Sequence, residues 1–82
     1  MAEFTRHARD ALKKRNIPEE WVQRALDQPQ RVESDRLDAS LEHRMVPIAE
    51  KENRVLRVIV NRTVSPEKVI TAYFDRKLKG KL

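Results

Sequence analysis

The sequence predicts an α+β domain in which two N-terminal helices pack on one face of a four-stranded antiparallel sheet. Three observations predict it. Apolar residues recur at helical spacing as far as residue 27, the period changes to strand alternation after Pro29, and every connection is short, which favours neighbouring antiparallel strands. Eighty-two residues make a single domain over 1–82 with one modest core.

The first helix is predicted over residues 5–15. Phe4, Ala8, Ala11 and Leu12 form its apolar stripe, Thr5 suits the N-cap, and Asn16 suits the left-handed conformation that ends a helix. The second is predicted over residues 18–27. Pro18 fits its first position, Glu19 and Glu20 lie at the positive end of its dipole, and Trp21, Val22, Ala25 and Leu26 form its buried stripe. Gln28-Pro29 ends it. Strands follow at 31–36, 41–49, 54–62 and 68–75; within the second, Pro47 lacks an amide donor and points to an edge or a bulge. Leu56, Val58 and Val60 are expected to face the helices together with Ile70, Ala72 and Phe74. The opposite face then mixes Val55, Arg57, Ile59 and Asn61 with Val69, Thr71, Tyr73 and Asp75, an unusual composition for mere packing and therefore a candidate site.

Composition narrows the chemistry. The chain is 39% apolar and 38% charged, with a mean hydropathy of -0.77. No apolar run approaches the roughly 20 residues that span a bilayer, and no apolar segment near the N-terminus reads as a signal peptide. A cytoplasmic protein without membrane association is expected. With no cysteine, two histidines and one glycine, thiolate metal sites, histidine zinc cages and phosphate-cradling glycine loops are excluded, so no metal and no cofactor is expected.

The charge is uneven. Residues 1–30 carry six basic and five acidic side chains, residues 31–53 four and six, and residues 54–82 eight and two. The C-terminal third is thus a basic pole, which favours a polyanion or an acidic protein as partner. Lys77, Lys79 and Lys81 also fit a solvated tail. Arg44, Arg62 and Arg76, on or beside strands, are candidate nucleic-acid contacts, with Tyr73 as a stacking face for a base.

His7 and Arg15 lie along one edge of the first predicted helix with the small Ala11 between them. A general base and a cation on one face suit phosphodiester chemistry, in which a 2'-hydroxyl loses a proton and the phosphorane charge is neutralised; a half-buried helix histidine beside a solvated arginine gives the same spacing. Arg57, inside Val-Leu-Arg-Val-Ile-Val, must reach solvent or pair, with Asp75 as the structural partner and a phosphate as the functional one. His43, between Glu42 and Arg44, reads as an exposed strand residue for which the sequence supplies no defined partner. Thr71 is ordinary in a strand.

In order along the chain, His7-Ala8-Arg9, Arg15-Asn16-Ile17-Pro18-Glu19-Glu20-Trp21-Val22, Arg54-Val55-Leu56-Arg57-Val58-Ile59-Val60-Asn61 and Val69-Ile70-Thr71-Ala72-Tyr73-Phe74-Asp75-Arg76 resemble the small bacterial family called domain of unknown function 4258. That family is similar to toxins of the RelE, ParE and BrnT type, grouped by fold with barnase-like ribonucleases. The resemblance implies a RelE-like fold, metal-independent RNA cleavage and a small acidic antitoxin-like partner. It carries catalytic roles onto His7, Arg15, Arg57 and Thr71. Many relatives place an arginine four residues after the histidine, where this chain has Ala11. The other reading the residues allow is a non-catalytic module that binds an acidic protein or nucleic acid.

Overall fold

The computed structural model describes residues 2–82. Its elements run β1 (Glu3–Phe4), α1 (Arg6–Arg15), α2 (Glu19–Asp27), β2 (Arg31–Ser34), β3 (Leu41–Ile48), β4 (Arg54–Asn61) and β5 (Lys68–Asp75), with 3-10 turns at Ala49–Lys51 and Arg76–Leu78. The strands form one five-stranded sheet in the order β1-β5-β4-β3-β2. The α+β class and the two helices are as predicted. The sheet is not four-stranded and antiparallel, however, because β1 adds a fifth strand that pairs in parallel with β5, Glu3 opposite Lys68 and Phe4 opposite Val69.

The reason lies at the helix start. Thr5 caps α1 by accepting the Ala8 amide at 3.1 Å, and an N-cap is extended, so Phe4 cannot join the helix stripe predicted for it. Phe4 is strand instead. The Glu3 amide donates to Glu67 O at 2.8 Å and the Thr5 amide to Val69 O at 3.1 Å. At the other end of α1, Asn16 adopts the left-handed conformation (φ 55°, ψ 47°) and its amide turns back to the Leu12 and Lys13 carbonyls. These two caps set the helix length.

Both helices pack on the same face. Ala8, Leu12, Ile17, Trp21, Val22 and Ala25 meet Val46, Ile48, Leu56, Val58, Val69 and Ala72 in one buried cluster, with α1 over β5 and α2 over β3 and β4. Trp21 sets its ring edge-on to Phe74, centroids 6.2 Å apart. One residue of the predicted helix-facing set is wrong. Between β4 and β5 the register shifts: Ile59 pairs with Thr71 but Val60 with Val69, leaving Ile70 unopposed. This bulge turns Val69 into the core and Ile70 out of it. Pro47 sits where β3 has run past the end of β2, whose pairing stops at Met45, so its missing donor costs no ladder bond.

Two forked ion pairs brace the fold, one from α2 to the turn after β3 and one from β3 to the residue before β5. Arg24 of α2 gives Glu50 two bonds of 3.0 Å, and this fork holds the Glu50 carboxyl down at about 2. Arg44 likewise lowers Glu67. A carboxylate held low in the folded state stabilises it above the unfolded value and loses that contribution as pH falls through the folded value. The melting temperature is therefore expected to hold from neutrality to about pH 5 and to fall between about pH 4.5 and 2. Thermal melts across that range check it, and Glu50→Gln should flatten part of the descent.

Candidate functional site

The candidate site is the sheet face away from the helices. Alternation and register bring the side chains of His43, Met45 and Pro47 from β3, Val55, Arg57 and Ile59 from β4, and Thr71, Tyr73 and Asp75 from β5 onto it. Arg57 lies opposite Met45 on one side and Tyr73 on the other.

Four charged or titratable groups form a chain across this face. Asp75 receives the Arg57 Nε at 3.0 Å and Nη2 at 2.9 Å. The third guanidinium nitrogen, Nη1, donates to His43 Nδ1 at 2.7 Å, and His43 Nε2 meets Asp35 Oδ1 at 2.7 Å. A guanidinium only donates, so Nδ1 must be the acceptor and Nε2 must carry the proton given to Asp35. The two contacts thereby fix the orientation of the imidazole ring. Asp35 is itself fixed by the turn after β2, its Oδ2 accepting the Leu37 and Asp38 amides at 3.1 and 3.0 Å. The hydrogen bond from His43, followed by that from the Leu37 amide, holds its carboxyl below the usual range. The side chains are only partly wet, with 14% exposed at His43 and Arg57, 15% at Asp75 and 22% at Asp35. A cleft of about 650 Å³ opens over them between Glu33, Ser34, Asp35, Arg36, Leu37, His43 and Arg57.

The rim of the sheet beside this face is cationic, and it turns toward the helix side, where Arg54 and Phe74 point. Arg15, Lys51, Arg54, Tyr73, Phe74 and Arg76 line a groove of about 320 Å³. It adjoins a second of about 360 Å³ between Arg54, Asp75, Arg76 and Lys79. Arg54 stacks its guanidinium 4.9 Å above the Phe74 ring. Arg15 reaches from the end of α1 to the outer edge of β5, donating through Nη1 to Ala72 O at 3.0 Å and Thr71 Oγ1 at 3.4 Å. Among the described residues, none of Arg15, Lys51, Arg54, Arg76 and Lys79 forms an ion pair. Their charge is left facing solvent.

Of the predicted catalytic residues, the fold brings Arg15 onto Thr71 and sets Arg57 in the row beside them. His7 is not brought in. It is exposed in the first turn of α1, and eight helical residues put it roughly 12 Å along the axis from Arg15. Of the predicted nucleic-acid contacts, Tyr73 and Arg76 line the cationic groove. Arg44 lies on the helix side of the sheet, spent on Glu67 at 2.8 and 3.0 Å and Glu42 at 2.8 Å. Arg62 is exposed beyond the end of β4, its Nη2 3.4 Å from Ala39 O and its Nη1 3.9 Å from Glu42. His43 has the defined partners that sequence did not reveal, and Asp35 carries no sequence signal that marks it as part of a site.

The described residues contain no group of three or more histidine, aspartate or glutamate side chains arranged to hold a metal ion, and no helix long and apolar enough to cross a membrane. The model of a family described as Domain of unknown function (DUF4258) matches residues 4–74. No curated protein and no solved structure matches the chain.

Proposed function

The chain belongs to the domain of unknown function 4258 family, and on that premise we propose that it is a RelE-like, toxin-type domain that binds RNA along the cationic rim of the sheet and the face beside it and cleaves it without a metal ion. The observation that carries the reading is the cationic groove: Arg15, Lys51, Arg54 and Arg76, all without carboxylate partners, surround Tyr73. Unpaired cations take phosphates, and a half-buried tyrosine among them gives an unstacked base a surface to lie on. Single-stranded RNA offers both groups in alternation.

RNA also carries its own nucleophile. A 2'-hydroxyl that gives its proton to a base attacks the adjacent phosphorus while cations receive the phosphorane charge. The P–O5' bond then breaks to leave a 2',3'-cyclic phosphate and a 5'-hydroxyl that takes a proton from the imidazolium or from water. On this reading His43 is the base. A phosphate that draws Arg57 Nη1 away frees the Nδ1 lone pair, and Asp35, already on Nε2, steadies the imidazolium that forms. Arg57 then meets the phosphate and Arg15 the neighbouring backbone. A small acidic protein covering the same groove would act as the antitoxin.

One observation favours the second reading, a non-catalytic module that binds nucleic acid or an acidic protein. Both His43 nitrogens already have partners at 2.7 Å, so without displacement of Arg57 no base is free.

Fluorescence anisotropy on a single-stranded RNA oligonucleotide over a range of salt, followed by single-turnover cleavage in EDTA, separates the two. Lys51→Ala with Arg76→Ala, both exposed positions, should weaken binding and lower the slope of log affinity against log salt by roughly 1.4, at about 0.7 for each phosphate no longer neutralised. Cleavage resistant to EDTA supports the ribonuclease, and binding without turnover the second reading. Unaltered binding by the double variant overturns both placements of the RNA.

A further inference from the structure

We infer that the free edge of β2 pairs with the β2 edge of a second copy about a twofold axis through Val32, giving a dimer with one continuous ten-stranded sheet. β2 is the last strand of the sheet, and all four of its residues are exposed. The Asp35 amide donates to Leu41 O at 3.0 Å. With Glu33 opposite His43 and Arg31 opposite Met45, this puts Arg31 and Glu33 at the hydrogen-bonded positions of the β2–β3 ladder. By alternation Val32 and Ser34 turn their N–H and C=O groups outward. An unprotected row of this kind is a template for another strand.

The register follows from the same parity and from charge. Two antiparallel copies can pair through outward groups with Val32 opposite Val32, or with Val32 opposite the even-numbered neighbour on either side. Sliding one way sets Glu33 against Glu33, and sliding the other sets Arg31 against Arg31. Only the central register sets Arg31 against Glu33 of the other copy, twice by symmetry, and like charges directly opposite are the unfavourable case. The two side chains are 43% and 48% exposed; within one copy they lie 3.8 Å apart and Glu33 is also 3.9 Å from Arg57, both long contacts that leave the two groups able to re-pair. On the opposite face the same register stacks Val32, 49% exposed, on its own mate. The surface is small, and it belongs with weak, concentration-dependent contacts.

Sedimentation equilibrium of the purified chain over a concentration series up to about 1 mM tests it, with far-UV circular dichroism confirming that each variant is folded. The chain should go from monomer to dimer. Val32→Pro removes an amide that the fold itself does not use and should abolish association. Arg31→Glu alone and Glu33→Arg alone should each weaken it by about tenfold or more, and the two together should restore it. A chain that stays monomeric throughout overturns the proposal. A dimer indifferent to Val32→Pro, or charge variants that weaken association without mutual rescue, overturns it equally, because the contact would then lie elsewhere.

Discussion

In single-turnover RNA cleavage, His43→Ala is expected to slow the reaction by about 10²–10⁴-fold, the range for loss of a positioned general base. RNA affinity should change by less than about threefold, because the cations proposed to take phosphates line the neighbouring groove rather than the imidazole. His7→Ala is the paired control. Exposed on α1 and without a hydrogen bond among the described residues, His7 should be replaceable with less than about a twofold change in rate. The reverse pattern, with His7→Ala inactive and His43→Ala active, would move the chemistry to the helix edge and leave the Asp35–His43–Arg57 chain a structural device. Asp35→Asn sharpens the comparison. It keeps the shape of the carboxylate but removes its charge, and it should slow cleavage without weakening RNA binding.

The largest loss of stability is expected from Arg57→Ala. Asp75 is 15% exposed, and its Oδ2 accepts the Arg57 Nε hydrogen bond at 3.0 Å with Nη2 2.9 Å away, while His43 Nδ1 accepts from Nη1. Removing the arginine strands a mostly buried carboxylate and a ring nitrogen together, and breaking one side of such a pair costs about 3–5 kcal/mol. The low end applies, because Asp75 keeps the Lys77 amide at 3.0 Å. For a domain of this size about 3 kcal/mol lowers the melting temperature by roughly 12–24 °C. Thermal melts of Arg57→Ala, Asp75→Ala and the double variant check the cause. If a stranded charge is responsible, the double variant should be more stable than the two single losses added together. Simple additivity would mean that the loss came from packing along the aliphatic stem of Arg57.

The helices were legible because their signals are local. Thr5, Asn16, Pro18 and Gln28-Pro29 act within one turn of themselves, so the bounds 5–15 and 18–27 differ from the observed helices only by one residue at each start. The strands were legible as segments, since β-branched runs such as Val58-Ile59-Val60 have few alternatives. Their register was not. Strands read as 41–49 and 54–62 imply a four-residue turn, which would set His43 opposite Val60. The observed turn has five residues, a 3-10 turn followed by Glu52 and Asn53 with φ of 56° and 62°, and it sets His43 opposite Ile59 instead. A slip of one residue exchanges the two faces of a strand. That single residue decides whether His43 meets Arg57 or the helices.

Asn53 was the available clue, because asparagine tolerates the left-handed conformation better than most side chains. Nothing comparable marks β1 or the bulge at Ile70. A two-residue strand is too short to show a period, and the bulge arises from how β5 fits β4. The basic pole was legible from counting alone. Which of its members would remain unpaired was not, since Arg44 and Arg57 look like Arg54 and Arg76 until their carboxylates are in place.

Arg15 ends one edge of this sheet. β1 covers only Lys68 and Val69 of β5, and further along the Arg15 guanidinium occupies the Ala72 carbonyl and places a charge where an incoming strand would lie. Edge-to-edge growth needs two open edges, one to give and one to receive. Among the described residues the far edge offers only the two-residue β1, so β2 is the edge long enough to take a strand, and a twofold contact consumes it in both copies at once. Assembly through β2 therefore closes at two chains and cannot propagate into a filament, however concentrated the protein becomes.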